Sequence, residues 1–510
     1  MNQITKTKKI LLFFVLILLI GASLFYFSDK LSYICLKPIS CLTCEDLAKL
    51  SKQTTPTGEL AFKLDKQLKT PYIFNRTKNI LSTLKGKTPF TKPYIRVAHW
   101  NIERGKNIDA VKTIFSDQSS YYYNYKKNVD AESHNDLRKE LSDLALSDVI
   151  SLNEVDIGLP RTKYKNVVSE IADALNYNYA FATEFVELGP IAYMVMIDTG
   201  CYLGLHGNAI LSKYPIKDAR VIRLPKCYDW FNGGNSRKSP LEYVRRYGAD
   251  KVFHQKILDE LRSGGRCALV ANIQLPNNEI VTVVSTHLED RCYPQERFKQ
   301  VQYLFNNLKN IRTPLVIAGD LNTSTTDSAP TSFKKEIVKR LKDPHFIARS
   351  AAFALIPGAP IAGGLAAVAL SKLFQYKDPT APSIPVIFPN HERKLFKYVE
   401  DFRFSDGEGF DSRGDSEKSS NGKSGYFANS NERQLKGFES TFKFSEPRLI
   451  AYFKLDWFFV KPKQKRFEPF NGQTLQLVNH AYPDRISDHE PITVDLTLAR
   501  NQNVARLVRK

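Results

Sequence analysis

The sequence predicts an α/β protein in which helices cover β-sheets. The first observation is a series of short apolar runs that end in polar residues, which is the pattern of buried strands. These runs read YIRVAHWN, DVISLNE, IVTVVSTHL, PLVIAGDLN, KLDWFFV and PITVDLTL. The second observation is that segments with a helical period lie between them. Strands that alternate with helices favour sheets covered by helices over an all-α or all-β fold.

Two helical segments are recognised by apolar residues that recur every three or four positions. In the segment from Asn166 to Leu175 these residues are Val167, Val168, Ile171, Ala174 and Leu175. In the later segment they are Phe298, Val301, Leu304, Phe305 and Leu308. Each segment therefore presents one apolar face, as expected of a helix that packs on a sheet.

The composition excludes several classes of protein and suggests a kind of partner. The chain has 510 residues, of which 43% are hydrophobic and 25% charged, which excludes wholesale disorder and fibrous architectures. A mean hydropathy of −0.32 excludes a polytopic membrane protein. The net charge of +20 indicates a polyanionic partner, which could be nucleic acid, an anionic membrane surface or a phosphorylated substrate.

The N-terminus predicts a single-pass membrane anchor. Residues 1–9 are basic, and residues 10–27 form an uncharged apolar run at the short end of what spans a bilayer. The lysines before the run keep the N-terminus in the cytoplasm, so the rest of the chain is expected to be extracytoplasmic. The alternative is a signal peptide cleaved near Gly21-Ala22-Ser23, which would give a secreted or periplasmic protein.

Seven cysteines are too few for a small disulfide scaffold in a chain of this length. They are Cys35, Cys41, Cys44, Cys201, Cys227, Cys267 and Cys292. If the chain is exported, some of them can form disulfides, but the odd number leaves at least one thiol over and the sequence does not give the pairing. Cys41 and Cys44 have the spacing of half a zinc site, and we disfavour that reading because no second Cys or His pair follows.

Two stretches interrupt the alternation of strands and helices. Residues 351–370 are uncharged but contain several Pro and Gly residues, which indicates a buried turn between helices or a loop that dips into a membrane. Residues 405–432 are rich in Gly, Ser and Asn and are typical of a loop. The tripeptide Arg413-Gly414-Asp415 in this loop is interpreted as a chance match to a cell-adhesion motif.

Polar residues that can bind a metal ion or transfer a proton recur where the apolar runs end. They are Asn101, Glu154, His287, Asp320, Asn322, Asp488 and His489. Carboxylate and amide oxygens suit a hard cation such as Mg²⁺, and imidazole can stabilise phosphate charge or move a proton. The sequence has no Gly-x-Ser-x-Gly elbow and no phosphate-binding Gly-rich loop with Lys. This set therefore indicates metal-assisted hydrolysis of a phosphoester.

The same residues lie in seven short motifs, of which any one alone is a weak signal. In chain order they are His99-Trp100-Asn101-Ile102, Leu152-Asn153-Glu154-Val155, His206-Gly207-Asn208-Ala209-Ile210-Leu211-Ser212, Ser285-Thr286-His287-Leu288, Gly319-Asp320-Leu321-Asn322, Leu455-Asp456-Trp457 and Ser487-Asp488-His489. Together they resemble the signatures of the endonuclease/exonuclease/phosphatase superfamily over about Tyr94 to Leu498. That superfamily includes pancreatic-type deoxyribonucleases, abasic-site endonucleases, inositol-polyphosphate 5-phosphatases and bacterial sphingomyelinases.

The resemblance implies a four-layer α/β sandwich, with two mixed β-sheets face to face and helices outside, behind the N-terminal membrane helix. The catalytic domain would span residues 93–500, with an insertion at about 325–450. Residues 28–92 would form a linker and lead-in segment, and residues 501–510 a basic tail.

The resemblance also implies roles for individual residues. Glu154 corresponds to the principal metal ligand, with Asn101 beside it and Asp488 as a second acidic group. The expected cofactor is Mg²⁺, with Mn²⁺ as an alternative.

The other roles concern water and the phosphate. Asp320 corresponds to the residue that orients or deprotonates the attacking water, or protonates the leaving oxygen. Asn322, His489 and His287 correspond to phosphate-side groups, and Asp456 to the carboxylate that orients His489. Arg161 is our choice for a substrate-phosphate contact. The other seven histidines are interpreted as structural.

Three functions are consistent with this pattern. The first, which we favour, is a phosphodiesterase that cleaves nucleic acid outside the cytoplasm, because the basic body suits phosphate backbones. The second is a phospholipid head-group hydrolase of sphingomyelinase type, which the anchor and the apolar insert would serve. The third is a catalytically inactive module that binds a phosphate ligand. The sequence gives no oligomeric state.

Overall fold

The computed structural model describes residues 39–53, 55–76, 92–192, 197–231, 261–292, 294–322, 391–411, 438, 441–444, 451–464 and 466–498. Four features of the sequence lie outside these ranges: the predicted anchor at 10–27, the apolar stretch 351–370, the tripeptide 413–415 and the basic tail 501–510. Among the helices within the described ranges, none is both long and apolar enough to cross a membrane.

The described chain contains ten α-helices. They are α1 Cys44–Leu50, α2 Gly58–Lys69, α3 Ile108–Ser116, α4 Gln118–Tyr125, α5 His134–Ala145, α6 Val167–Leu175, α7 Gly189–Ala192, α8 Pro294–Leu308, α9 His391–Asp401 and α10 Gln476–His480. Helix α6 illustrates the local signals that set the ends of a helix. The side chain of Asn166 accepts a hydrogen bond from Ser169 N at the start, and Asn176 ends the helix in the left-handed conformation at φ 55°.

Fifteen strands are described. They are β1 Tyr72–Phe74, β2 Tyr94–Arg104, β3 Val149–Ile157, β4 Asn178–Glu187, β5 Leu205–Ser212, β6 Ile216–Arg223, β7 Arg262–Gly264, β8 Cys267–Gln274, β9 Ile280–His287, β10 Leu315–Asp320, β11 Phe442–Phe444, β12 Ala451–Phe453, β13 Asp456–Lys461, β14 Pro469–Thr474 and β15 Ile492–Thr497. Each of the six apolar runs that the sequence predicts as strands overlaps one of these strands.

The strands form two large mixed sheets. The first has the order β1-β4-β5-β3-β2-β15-β14, with β7 also paired to β4, and β2 and β3 are parallel. The second has the order β13-β10-β9-β8-β6, and β9 and β10 are parallel. A small third sheet joins β11 and β12. The sequence-based prediction of an α/β protein with two mixed sheets is confirmed.

Three apolar layers hold the sheets and helices together. The outer face of the first sheet packs on α3, α5 and α6 and buries Trp100. The inner faces of the two sheets meet in a second layer that contains Ile210 and Phe458. The third layer lies between the second sheet and α8 and α9, and it contains Trp457. Trp457 and Phe458 enter different layers because successive residues of a strand point to opposite faces.

The segment predicted as a linker and lead-in contributes to the first sheet. The strand β1 pairs antiparallel with β4. On α2, Gln67 Nε2 donates a hydrogen bond of 2.9 Å to Thr183 Oγ1 of β4. Residues 39–53 and 55–76 therefore pack on the same body as the predicted catalytic domain.

Candidate active site

Irregular pairing at the end of neighbouring strands shapes one side of the site. The register between β2 and β3 shifts between Asn101 and Arg104, and the register between β3 and β5 shifts between Leu152 and Val155. Glu154 lies within the second irregularity and has a φ of 54°, which is unusual for a residue with a side chain. Such bulges re-aim side chains, and here they bring the side chains of Asn101 and Glu154 within 3.3 Å of each other.

The register of the second sheet shapes the other side. Asp320, the last residue of β10, lies opposite His287 of the parallel strand β9. On its other side Asp320 lies opposite Asp456, the first residue of β13. Three predicted site residues from distant parts of the chain are thus neighbours across one edge of one sheet.

Asp320 Oδ2 is the point at which both sides of the site meet. It lies 3.2 Å from Asn101 Nδ2, 3.4 Å from His287 Nε2 and 3.5 Å from His489 Nε2. The backbone N–H of Asp320 donates to Asn153 Oδ1 at 2.9 Å, which fixes the strand end. One carboxylate oxygen therefore faces an amide and two imidazoles, all of which can donate a hydrogen bond to it.

His489 is held by a buried carboxylate. Its Nδ1 lies 2.8 Å from Asp456 Oδ2, and the other oxygen of Asp456 lies 3.1 Å from His99 Nε2. Burial opposes protonation of His489, but the negative charges of Asp456 and Asp320 outweigh it and raise the pKa of His489 well above its usual value. Burial also disfavours the charged form of Asp456, but its interactions with His489 and His99 keep the pKa of this carboxyl far below the usual range.

His287 has a separate set of partners. Its Nδ1 lies 2.7 Å from Arg266 Nη1, and Arg266 Nη1 also donates to Glu184 Oε2 at 3.1 Å. Burial and Arg266 act to lower the pKa of His287, but the carboxylates of Asp320 and Glu184 raise it overall. The side-chain amide of Asn322 lies 3.1 Å from His287 Nε2 and donates to Leu288 O at 2.9 Å.

The predicted metal ligands are the carboxylates of Glu154 and Asp488 and the amide of Asn101, whose Nδ2 faces both Glu154 Oε1 and Asp320 Oδ2. Glu154 keeps 25% of its side chain exposed, so its carboxylate can be reached from solvent. Partial burial, together with the negative charges of Glu103 and Glu154, raises the pKa of Asp488 to about 7. A divalent cation would neutralise carboxylates crowded in this way, and oxygen donors suit Mg²⁺. The residues present therefore fit the expected ion.

Asp320, Asp456 and His489 form a second group of potential metal ligands, but their hydrogen bonds favour a role in proton transfer. The nearest atoms of Asp320, Asp456 and His489 all lie within 4.8 Å of one another, which is close enough to hold an ion. However, one oxygen of Asp456 lies against His489 and the other against His99. Both oxygens of Asp456 are therefore occupied by imidazoles, and the placement of a cation at Glu154 remains a prediction.

Arg161 lies in an ion-pair network at the end of β3. Its guanidinium donates to the two oxygens of Asp156 at 2.6 and 3.0 Å and to Glu187 at 3.1 Å. His206 Nδ1 lies 2.8 Å from the same Asp156. This arrangement gives Arg161 a structural role, and its contact with a substrate phosphate remains a prediction.

Four further residues border the site and were not selected from the sequence: Arg104, Glu184, Arg266 and His99. Arg104 Nε lies 4.0 Å from Glu154 Oε2. Glu184 lies where the pairing of β4 with β5 shifts, between Thr183 and Phe185. Glu184 lies in a wholly buried strand, where its charge is paired with Arg266. His99 was interpreted as structural, although it begins the motif that contains Asn101.

Several solved structures are similar to this chain. The endonuclease/exonuclease/phosphatase protein of Beutenbergia cavernae is 15% identical, with 80% of this chain and 72% of that chain covered and a TM-score of 0.35. The catalytic domain of human Nocturnin with bound sulfate is 13% identical, with 80% and 95% covered and a TM-score of 0.36. The mannosyl-6-phosphatase Bt3783 of Bacteroides thetaiotaomicron is 14% identical, with 79% and 99% covered and a TM-score of 0.35.

A search of curated protein sequences finds no match. The sequence profile of the Endonuclease/Exonuclease/phosphatase family matches residues 98–489, which is most of the chain and contains every candidate catalytic and metal-binding residue. The resemblance drawn from the seven motifs is thereby confirmed, and the chain belongs to the endonuclease/exonuclease/phosphatase family, whose members hydrolyse phosphoester bonds.

Proposed function

We propose that this protein is a membrane-anchored, Mg²⁺-dependent phosphodiesterase that cleaves nucleic acid outside the cytoplasm. The observation that carries the proposal is the meeting of Asn101, His287 and His489 at a single oxygen of Asp320. An arrangement of one carboxylate between two imidazoles, next to a group of oxygen donors, serves hydrolysis of a phosphate ester.

Asp320 is the residue that takes the proton from the attacking water. Its Oδ2 faces nitrogen atoms that can donate to a carboxylate, and its backbone is fixed by Asn153. A water placed against Oδ2 would be oriented for attack on the phosphorus, with the bond to the leaving oxygen on the far side.

His489 supplies positive charge and a proton on the phosphate side. Asp456 accepts a hydrogen bond from Nδ1, so the Nε2–H points toward Asp320. In the protonated form, which the two carboxylates favour, Nε2 can donate to a phosphate oxygen. His287 and Asn322 are the second and third hydrogen-bond donors to the substrate phosphate.

Glu154, Asn101 and Asp488 are the residues that would hold Mg²⁺, with Mn²⁺ as an alternative. When the ion is bound, it supplies a Lewis acid that polarises the phosphate and offsets its charge. The exposed part of the Glu154 side chain would let an ion reach the carboxylate from solvent.

Nucleic acid is the substrate we favour because the net charge of +20 suits a repeating phosphate backbone. The apolar run at 10–27 supports a tether to the membrane, and the lysines before it support an extracytoplasmic catalytic domain. A phospholipid head group and a bound but unhydrolysed phosphate ligand are the competing outcomes.

The test is a substrate panel with the purified full-length chain in detergent. Plasmid DNA, RNA, and choline and inositol phospholipids are incubated with Mg²⁺ or with a chelator. We expect metal-dependent cleavage of nucleic acid that is lost in His489→Ala and retained in the matched control His134→Ala, which alters a histidine of α5. Cleavage of the lipids alone would contradict the nucleic-acid assignment. Binding without cleavage of any substrate would contradict the enzymatic one.

A further inference from the structure

We propose that Cys227 and Cys292 form a disulfide bond next to the active site. Cys227 lies in the loop after β6, and Cys292 lies five residues beyond His287, the end of β9. The two side chains share a hydrogen bond. Two thiols that hydrogen-bond to each other are close enough for a local shift of the side chains to bring them to disulfide geometry.

A glutamine of α8 holds both cysteine segments in place. Gln300 Nε2 donates to Cys227 Sγ at 3.1 Å and to Pro225 O at 2.9 Å, and its Oε1 accepts from Glu289 N at 3.1 Å. The Cys292 thiol in turn donates to Glu289 O at 3.2 Å. Gln300 therefore ties the loop that carries Cys227 to the segment that carries Cys292.

The bond would fix a segment that begins in the active site. At the near end, Leu288 O accepts a hydrogen bond of 2.9 Å from the amide of Asn322. In the middle, Glu289 accepts from Trp230 Nε1 at 3.0 Å, and the guanidinium of Arg291 lies 4.8 Å from the Trp230 ring. A disulfide at Cys292 anchors the far end of this segment to the loop that carries Trp230.

The chemistry requires an oxidant, which we take to be a disulfide compound of the kind present in oxidising compartments. Cys227 is partly exposed and Cys292 is buried, with 1% of its surface accessible. The hydrogen bond with Cys227 and burial raise the pKa of the Cys292 thiol. Cys227 is the first nucleophile because it is the more accessible of the two thiols.

The Cys227 thiolate attacks the oxidant, forms a mixed disulfide and releases one thiolate. The Cys292 thiol then loses its proton and attacks the Cys227 sulfur, which expels the second thiolate. The two cysteines lose two electrons and two protons in all, and the oxidant becomes two thiols.

The test uses the full-length chain equilibrated in buffers of oxidised and reduced small thiols. Remaining thiols are alkylated, the protein is digested without reductant, and linked peptides are identified by mass spectrometry. We expect Cys227 linked to Cys292. Because the bond closes a loop of about 65 residues, we also expect reduction to lower Tm by roughly 5–10 °C.

Cysteine variants test whether the effect of reductant on Tm comes from this disulfide or from another one. Cys227→Ser and Cys292→Ala should each remove the effect of reductant on Tm, whereas the matched control Cys201→Ser, at an exposed cysteine, should retain it. Alkylation of both Cys227 and Cys292 in the fully oxidised sample would overturn the proposal. Linkage of either cysteine to a different residue would also overturn it. Neither measurement depends on catalytic activity, so this test stands apart from the proposed function.

Discussion

His489 Nδ1 lies 2.8 Å from Asp456 Oδ2, and the two side chains are almost fully buried. This contact fixes the orientation of the imidazole and keeps its proton-bearing Nε2 directed at the site. It also joins the strand β13, which Asp456 begins, to the loop before β15, which carries His489.

Asp456→Asn removes the charge that orients and protonates His489 while the shape of the side chain is kept. We expect kcat to fall by a factor of about 10²–10⁴, the usual contribution of a positioned acid or base, with KM changed less. Steady-state hydrolysis of the best substrate measures this. His99→Ala, which removes the other partner of Asp456, should cost less than Asp456→Asn, and the reverse order would contradict the assigned roles.

Glu154→Gln keeps the size of the side chain but replaces a carboxylate by an amide. We expect the Mg²⁺ concentration for half-maximal activity to rise by about 10-fold or more, because an anionic ligand to a hard cation is lost. Activity titrated against Mg²⁺ measures the shift. Glu170→Gln, on the outer helix α6, is the matched control and should leave the titration unchanged. A Glu154→Gln curve that overlays the wild-type curve would remove Glu154 from the metal site.

Arg161→Met separates a structural role from a substrate contact. The substitution leaves the buried carboxylate of Asp156 with one cationic partner fewer, so we expect the free energy of unfolding to fall by about 1–3 kcal/mol. Arg161 itself is partly exposed, which places the effect below that of a fully buried pair. Chemical denaturation measures the loss. An unchanged stability combined with a large rise in KM would instead support the phosphate contact predicted from the sequence.

Lys454 makes folding stability depend on pH. Burial lowers the pKa of its ammonium to about 7, against a weaker opposing effect of Asp456. Below pH 7 the folded state carries a buried charge. Between pH 7 and the ordinary lysine value the unfolded chain binds the extra proton, so this group adds stability as pH rises.

Lys454→Met should abolish that gain. From pH 7 to pH 9 we expect wild-type stability to increase relative to the variant by about 2–3 kcal/mol. Denaturant unfolding at both pH values provides the comparison, with the surface substitution Lys139→Met as the control. Parallel pH profiles for wild type and Lys454→Met would show that Lys454 stays charged in the folded protein.

The strands and the central site residues were predictable for a simple reason. Asp320 and His287 each end an apolar run, and parallel neighbouring strands carry such ends to one edge of a sheet. The resemblance then gave Asp456 and His489 their roles, and the structure places the two in direct contact.

The contacts that the sequence could not predict arise from irregular strand pairing or from residues far apart in the chain. Glu184 reaches His287 because β4 shifts register at that residue, and the alternation of apolar residues does not encode such a shift. His99 and Asp456 meet across 357 positions of the chain. The strand β1 has only three residues, too few to show a strand period, and its pairing with β4 is visible only in the folded protein.

The role of Asp320 as the proton acceptor is tested most directly by the rate of phosphodiester hydrolysis by Asp320→Asn. The variant should keep the wild-type Tm within a few degrees and bind substrate, since the side chain has the same size. We expect a kcat at least about 10³-fold below wild type in saturating Mg²⁺, because the group that accepts the proton of the attacking water is gone. A kcat within tenfold of wild type would contradict it.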